Sequence, residues 1–273
     1  MTDNTIKIVI TNSHANNRGD EAAQRSMINS FRRLVPNASI TVLTVSPDGL
    51  DLQEDVRKIR TFSASKKSAL FIIVWTIFRS FGIRLPTFNL RPTVFEAIEE
   101  MANADVIISA PGGPYFGDLY ASHEIQEHLF HICLSKILIK AVMIYAPSMG
   151  PFKSYWRNKI RRYILNTVEI ITLRDSISKE YLRKLGLDRP LVHLASDSAF
   201  QDVVSLSKNK VGDIMNAEGI VSLQGNDRSK GALVGISPAG ARWNYRGSAN
   251  PEEDQKRYNH IVAKAVDYLV TTY

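Results

Sequence analysis

The sequence predicts an α/β chain built on a Rossmann-like parallel sheet with helices on both faces. Three observations carry this. Short β-branched runs without a polar face, such as Asp105-Val-Ile-Ile-Ser109, alternate with amphipathic helical stretches. These runs end in glycine, proline or polar turns, the places where doubly wound sheets hold ligands. The 273 residues, 44% hydrophobic and 22% charged, suffice for one or two ordinary domains.

Residues 6–10 form the first expected strand, and residues 11–19 its polar exit loop. Asp20 and Glu21 open a helix, with acidic groups where the helix dipole favours them. Ala23, Met27, Phe31 and Leu34 give that helix an apolar stripe, stopped by Pro36 and Asn37. Residues 39–45 are the next strand, ended by Ser46-Pro-Asp-Gly49. Residues 69–78 are the most apolar run, flanked by Lys66, Lys67, Arg79 and Arg84. That run is shorter than the roughly 20 residues a membrane span requires. It reads as a buried helix or as an interfacial helix whose basic flanks meet anionic lipid.

Residues 93–101 read as a helix leading into the strand at residues 105–109, which Pro111, Gly112 and Gly113 terminate. Residues 123–139 form an amphipathic helix before the strand at 141–145 and the turn Ala146-Pro-Ser-Met-Gly-Pro151. Residues 153–167 read as a basic helix with Trp156, Ile160 and Ile164 on its inner face. A strand at 170–173 runs into Arg174-Asp175-Ser176 and a helix to Leu185, with Gly186 as its C-cap. The strand at 191–194 exits at Asp197. Residues 201–231 are polar and read as a linker between an N-terminal domain, residues 1–200, and a second Rossmann-like domain beginning at 232–273. Residues 232–237 restart the strand pattern, and a helix runs from Pro251 to the end. By this reading the second domain has begun and is incomplete.

Net charge is +7 with a pI of about 9.4, which suits an anionic partner. The single Cys133 excludes an internal disulfide or a multi-cysteine zinc site and reads as a core filler. The N-terminus lacks the basic and apolar regions of a signal peptide, so the cytoplasm is the expected compartment, with peripheral contact at the inner face of the membrane as the option the basic-flanked run leaves open. The basic helix has little aromatic interleaving and no surrounding module, so nucleic acid is not an expected partner.

The exit loops concentrate the candidate chemistry. In Asn16-Asn17-Arg18-Gly19-Asp20-Glu21-Ala22, Gly19 permits close approach and Arg18 offers a fork for phosphate or carboxylate. Asp20 and Glu21 instead suit sugar hydroxyls or simple capping. The loop fits neither G-x-G-x-x-G nor a P-loop. Asp118 closes the central loop with a carboxylate able to orient a hydroxyl, while Arg174 and Asp197 stand at later strand ends, each equally readable as half of an ion pair. His123, His128 and His131 share one helix, but only the last two face together at helical spacing and no third ligand is evident, so no metal site is expected. Ser148 lacks a G-x-S-x-G context, which argues against a serine hydrolase.

In series these loops resemble the polysaccharide pyruvyl transferases. The resemblance rests on Asn17-Arg-Gly-Asp-Glu-Ala22, Asp105 through Gly113 to Asp118, and Tyr145-Ala-Pro-Ser-Met-Gly-Pro151. It continues through Leu173-Arg-Asp-Ser176 with Leu185-Gly186, Ser196-Asp-Ser-Ala-Phe200 and Val234-Gly-Ile-Ser-Pro238. It implies a GT-B-like fold of two facing Rossmann-like domains, and transfer of pyruvyl from phosphoenolpyruvate to a hydroxyl of a saccharide or lipid-linked saccharide, with no cofactor. The family's later arginine–histidine motif has no counterpart before Tyr273, and its frequent triple glycine is replaced by Pro111-Gly-Gly-Pro114. Under this resemblance Asp20 and Asp118 are the candidate catalytic carboxylates. Asn17, Arg18, Gly19, Gly112, Gly113, Ser148, Arg174 and Asp197 are the candidate substrate-binding residues, with Arg174 first for the donor. The alternatives are a GT-B nucleotide-sugar glycosyltransferase and a non-catalytic glycan-binding module.

Overall fold

The computed structural model describes residues 5–14, 17–86, 91–110, 115–201, 208–218, 234–238 and 250–272. The chain divides into two units, Met1–Val203 and Val204–Tyr273. In the first, seven strands form one sheet: β1 (Lys7–Ser13), β2 (Ser39–Thr44), β3 (Arg57–Arg60), β4 (Val106–Ser109), β5 (Ala141–Ile144), β6 (Ile170–Leu173) and β7 (Leu191–Leu194). Their order is β3-β2-β1-β4-β5-β6-β7 and every neighbouring pair is parallel. In register, Ile8 pairs with Ile40 on one side and Val106 on the other. The chain winds outward from β1 in one direction, then returns and winds in the other. The switch point therefore lies between β1 and β4, whose carboxyl ends open a crevice.

Alternation along the strands explains the two covered faces. Val9, Leu43 and Ile107 point into the core lined by α2 (Lys66–Ser80), α3 (Pro92–Asn103) and α5 (Leu129–Ile137). Their neighbours Ile8, Ile10, Val42 and Ile108 point to the opposite face, against Met27 and Ile28 of α1 (Arg18–Leu34). Burial on both faces is why these strands read as continuous apolar runs. The strand β3 escaped the sequence reading because only Ile59 in Arg-Lys-Ile-Arg is buried. Charge on the other positions is how edge strands resist stray pairing.

Several expectations change in detail. The apolar run is a half-buried helix: Ile72 and Trp75 are in the core, whereas Leu70, Ile77 and Phe78 are exposed. No helix among the described residues is long and apolar enough to cross a membrane. The expected helix at 123–139 is a composite. A short α4 (Ala121–His123) passes through a π turn, Glu124–His128, into α5, and the Leu129 N–H bonds the Glu124 carbonyl five residues back. The basic helix is α6 (Tyr155–Leu165), and its inward face is not the one expected. Of the three residues expected inside, Ile164 packs against the core, but Trp156 is 71% exposed and Ile160 is exposed too, whereas Arg161 is fully buried. Fitting Arg161 inward rotates the helix, because two carboxylates beneath it take the guanidinium. The helix α7 (Ser176–Leu185) ends as expected at Gly186, which sits at φ +75°.

In the second unit, α8 (Lys208–Ala217) is helical within the stretch read as linker, and α9 (Pro251–Thr272) is the expected final helix. Residues 234–238 are not in a strand, and the rest of the expected strand at 232–237 lies outside the described residues.

Candidate functional site

The loops after β1, β4, β5, β6 and β7 contribute to the site. After β1, Asn17 adopts an extended backbone and its side chain accepts the Gly19 N–H at 2.9 Å, capping α1. A Cβ on Gly19 would lie 3.3 Å from that capping oxygen, so the cap itself favours glycine. Arg18 is largely exposed and pairs with Glu21 at 2.8 Å, and Arg25 holds the same carboxylate at 2.9 Å from the other side. Asp20 accepts the Tyr115 hydroxyl at 3.0 Å. Burial is the largest influence on the Asp20 carboxyl and raises it. The Tyr115 bond and the Arg174 charge act downward, Asp197 acts upward, and the net direction is up. Asp20, Arg174 and Asp197 thus share one electrostatic neighbourhood, although they leave different strands.

At the far side of that neighbourhood, Arg174 Nη1 donates to Asp197 at 2.5 Å and its Nε to Ser148 at 2.9 Å. Its Nη2 makes no hydrogen bond among the described residues. Ser148 in turn donates to Asp175 at 2.9 Å, and Asp175 caps α7 through the Ser178 N–H at 2.7 Å. Ser148 is therefore a bridge that orients Arg174. Asp197 accepts the Ala199 N–H at 3.0 Å and fixes the other fork. The result is a guanidinium held on two sides, with one donor edge unspent.

Asp118 occupies a different environment from the one the sequence suggests. Its carboxylate accepts the backbone N–H of Lys153, that of Ser154 at 3.1 Å, Arg157 at 3.1 Å and Arg161 at 2.8 Å. Ser154 is the N-cap residue of α6 and makes no side-chain cap, so Asp118 supplies that cap from another loop. Burial pushes its carboxyl up, but the bonds from Arg161, Lys153 and Ser154 outweigh it and hold it below the usual range. Both oxygens of Asp118 are engaged and its proton is disfavoured, an environment that suits anchoring the start of α6 better than proton transfer. Arg161 also makes a two-pronged pair with Glu124, at 2.8 and 2.6 Å, in which both side chains are at most 1% exposed. Burial works against the Arg161 charge, yet Glu124 and Asp118 raise its affinity for the proton.

The loops after β4 and β5 are zipped together above the sheet. Phe116 bridges Met149, and the Gly150 N–H bonds the Phe116 carbonyl at 2.6 Å. A Cβ on Gly117 would come within 2.7 Å of the Gly150 carbonyl oxygen, a contact only glycine avoids. Gly112 and Gly113 lie outside the described residues.

A cluster of rings at the switch point was not legible in the sequence. His14 follows β1 directly, and Tyr115 stacks on it at 4.4 Å and on His128 at 5.4 Å. His14 and His128 face each other through their Nε2 atoms at 3.5 Å, and His14, His123 and His128 bring one ring nitrogen each within 4.8 Å of the others. Burial, then the neighbouring histidines, lowers His14 to about 4 and His128 well below the usual value, so both are neutral at physiological pH. His131, which helical spacing pairs with His128, is occupied elsewhere. Its nitrogens bind Asn12 at 2.8 Å and the Phe62 carbonyl at 3.0 Å. The π turn explains the change of partner, since i and i+5 share a face there and not in an α-helix.

The arrangement offers an arginine edge for an anion at the end of β6, and, nearer the switch point, a buried carboxyl of raised proton affinity bonded to a tyrosine and neutral imidazoles. A profile of the polysaccharide pyruvyl transferase family matches residues 17–271. The amylovoran biosynthesis protein AmsJ of Erwinia amylovora is 26% identical over 209 aligned positions, covering 71% of this chain and 49% of that protein. The chain thus spans about half the length of the curated relative it matches. Among solved structures, Anabaena Alr3699/HepE in complex with UDP and glucose aligns with 78% of this chain and 50% of its own, at 9% identity and a TM-score of 0.44. The UDP-N-acetylglucosamine 2-epimerase from Rickettsia bellii aligns with 80% of this chain and 50% of its own, at 12% identity and a TM-score of 0.36.

Proposed function

The chain belongs to the polysaccharide pyruvyl transferase family, and on that footing we propose that it takes part in moving pyruvyl from phosphoenolpyruvate to a sugar hydroxyl of a surface polysaccharide or its precursor. The observation that carries this reading is Arg174, oriented by Asp197 and Ser148 with its Nη2 edge free among the described residues. Phosphoenolpyruvate presents a phosphate and a carboxylate, and a fixed guanidinium edge suits either. Arg18 is a second donor contact, since its surface pair with Glu21 is weak enough to release.

The chemistry is an addition followed by a displacement. A sugar hydroxyl oxygen bonds to C2 of the enolpyruvyl group while the terminal methylene gains a proton and becomes a methyl. A second hydroxyl then displaces inorganic phosphate and closes a ketal. Each hydroxyl must lose a proton, and a base works best when its proton affinity is near the working pH. Asp20, raised by burial, is the residue suited to that role, with Tyr115 holding its orientation. No cofactor enters this scheme. The acceptor side falls to Asn17, Gly19, Gly112 and Gly113.

Calorimetric titration with phosphoenolpyruvate tests the reading, with inorganic phosphate and a UDP-sugar for comparison. Specific phosphoenolpyruvate binding that Arg174→Ala weakens by about tenfold or more supports it, a loss of roughly 1.4 kcal/mol. Unchanged affinity in Arg174→Ala removes that residue from the donor site, and a preference for the UDP-sugar overturns the transfer reading itself.

A further inference from the structure

The ring cluster at the switch point has features that packing alone does not explain. His14 and His128 meet nitrogen to nitrogen at 3.5 Å, a long and poor hydrogen bond between two imidazoles. Two imidazole nitrogens on one tetrahedral zinc ion, each about 2.0–2.1 Å from it, stand roughly 3.3–3.4 Å apart. The observed separation is almost that. His123 completes the group from the residue preceding the π turn, and the three ring centroids lie 5.2, 5.3 and 5.6 Å apart.

Partners behind the rings point the same way. His123 Nδ1 faces the Glu127 carboxylate at 3.4 Å, while its Nε2 is buried with no hydrogen-bond partner among the described residues. A histidine with one nitrogen against a carboxylate and the other without a hydrogen bond is the arrangement that orients a metal ligand. Glu127 is itself buried and steadied by the Ser63 hydroxyl at 3.0 Å. His128 Nδ1 has no partner among the described residues, so its Nε2, facing His14, is the nitrogen the geometry offers to a shared ion.

We propose that His14, His123 and His128 bind one transition-metal cation of the zinc class, beside Asp20 at the switch point of the sheet. Three imidazoles select zinc, cobalt, nickel or copper over magnesium and calcium, which prefer oxygen. Three protein ligands leave a fourth position open, as in metal sites that take a water or a substrate oxygen. The site is independent of the transfer chemistry above, and phosphoenolpyruvate binding and metal binding are separable readouts.

The test uses the untagged chain, stripped with a chelator and titrated with Co²⁺ and then Zn²⁺. Binding of one equivalent is expected, with the visible absorption of a low-coordinate cobalt site that zinc abolishes. His14→Ala and His123→Ala each lower affinity by more than about tenfold, and Glu127→Gln by roughly 10–100-fold, as loss of an orienting partner does. His193→Ala, on an exposed ring elsewhere, leaves it unchanged. His128 is buried, so the half-exposed His14 carries the test, with circular dichroism confirming that His14→Ala is folded. A folded chain with no saturable cobalt binding overturns the proposal, as does undiminished binding in His14→Ala or an equal loss in His193→Ala.

Discussion

Two charged clusters sit on the carboxyl edge of the same sheet, and they differ in how completely they are satisfied. Around Arg161 every strong group is spent. Asp118 and Glu124 take its guanidinium, Asn158 accepts its Nη1 at 2.7 Å, and Phe152 lies under it at 4.9 Å. Around Arg174 the groups are aimed but not exhausted, with a carboxyl that burial pushes toward protonation and, among the described residues, a guanidinium edge and two imidazole nitrogens that make no hydrogen bond. Saturation belongs to architecture, and a vacancy among oriented groups belongs to binding. The distinction explains why the carboxyls of Asp118 and Asp20, both in exit loops, are shifted in opposite directions.

Substitutions in the two clusters should separate stability from ligand binding. Glu124→Gln should have the largest effect, about 3–5 kcal/mol in urea unfolding, because it leaves Arg161 buried without its main counter-charge. A loss near zero would mean that water reaches Arg161 and that the cluster is not closed. Asp175→Ala should cost about 1 kcal/mol through loss of the α7 cap. It carries a pH signature as well. Burial raises the Asp175 carboxyl, but bonds from Ser178 and Ser148 hold it below its ordinary value. Its contribution is therefore fully present above the unfolded-state pKa and fades as pH falls through the depressed folded value. The acid limb of the stability curve should flatten in Asp175→Ala. Arg174→Ala should change stability least, by less than about 1 kcal/mol, since its pair with Asp197 is a quarter exposed. If it destabilised as much as Glu124→Gln, the open cluster would be architectural after all.

The sequence made the alternation, the strand ends and the helix caps legible because those signals are local. Gly186 announces itself by residue type, whereas the helix expected to open at Asp20 and Glu21 is capped by Asn17. What escaped depends on contacts across the fold. Nothing in the sequence around 153–165 says that Arg161, and not Trp156, turns inward, because the decision belongs to Glu124 and Asp118, about forty residues away. His14 is silent for the same reason, since its partners lie more than a hundred residues on. Helical spacing on an unbroken α-helix kept His123 apart from His128, and that assumption failed at the π turn starting at Glu124.

That break has an evolutionary consequence. A π turn holds one residue more than the α turn it replaces, and each residue turns a helix by about 100°. The register of α5 is pinned by Leu129, Ile132 and Leu134 in the core. A relative lacking a single residue between 124 and 128 would keep that packing and swing position 123 a quarter-turn off the cluster. In comparing such chains, a one-residue gap here deserves more weight than most substitutions, because it can remove a histidine from its partners while every histidine is retained.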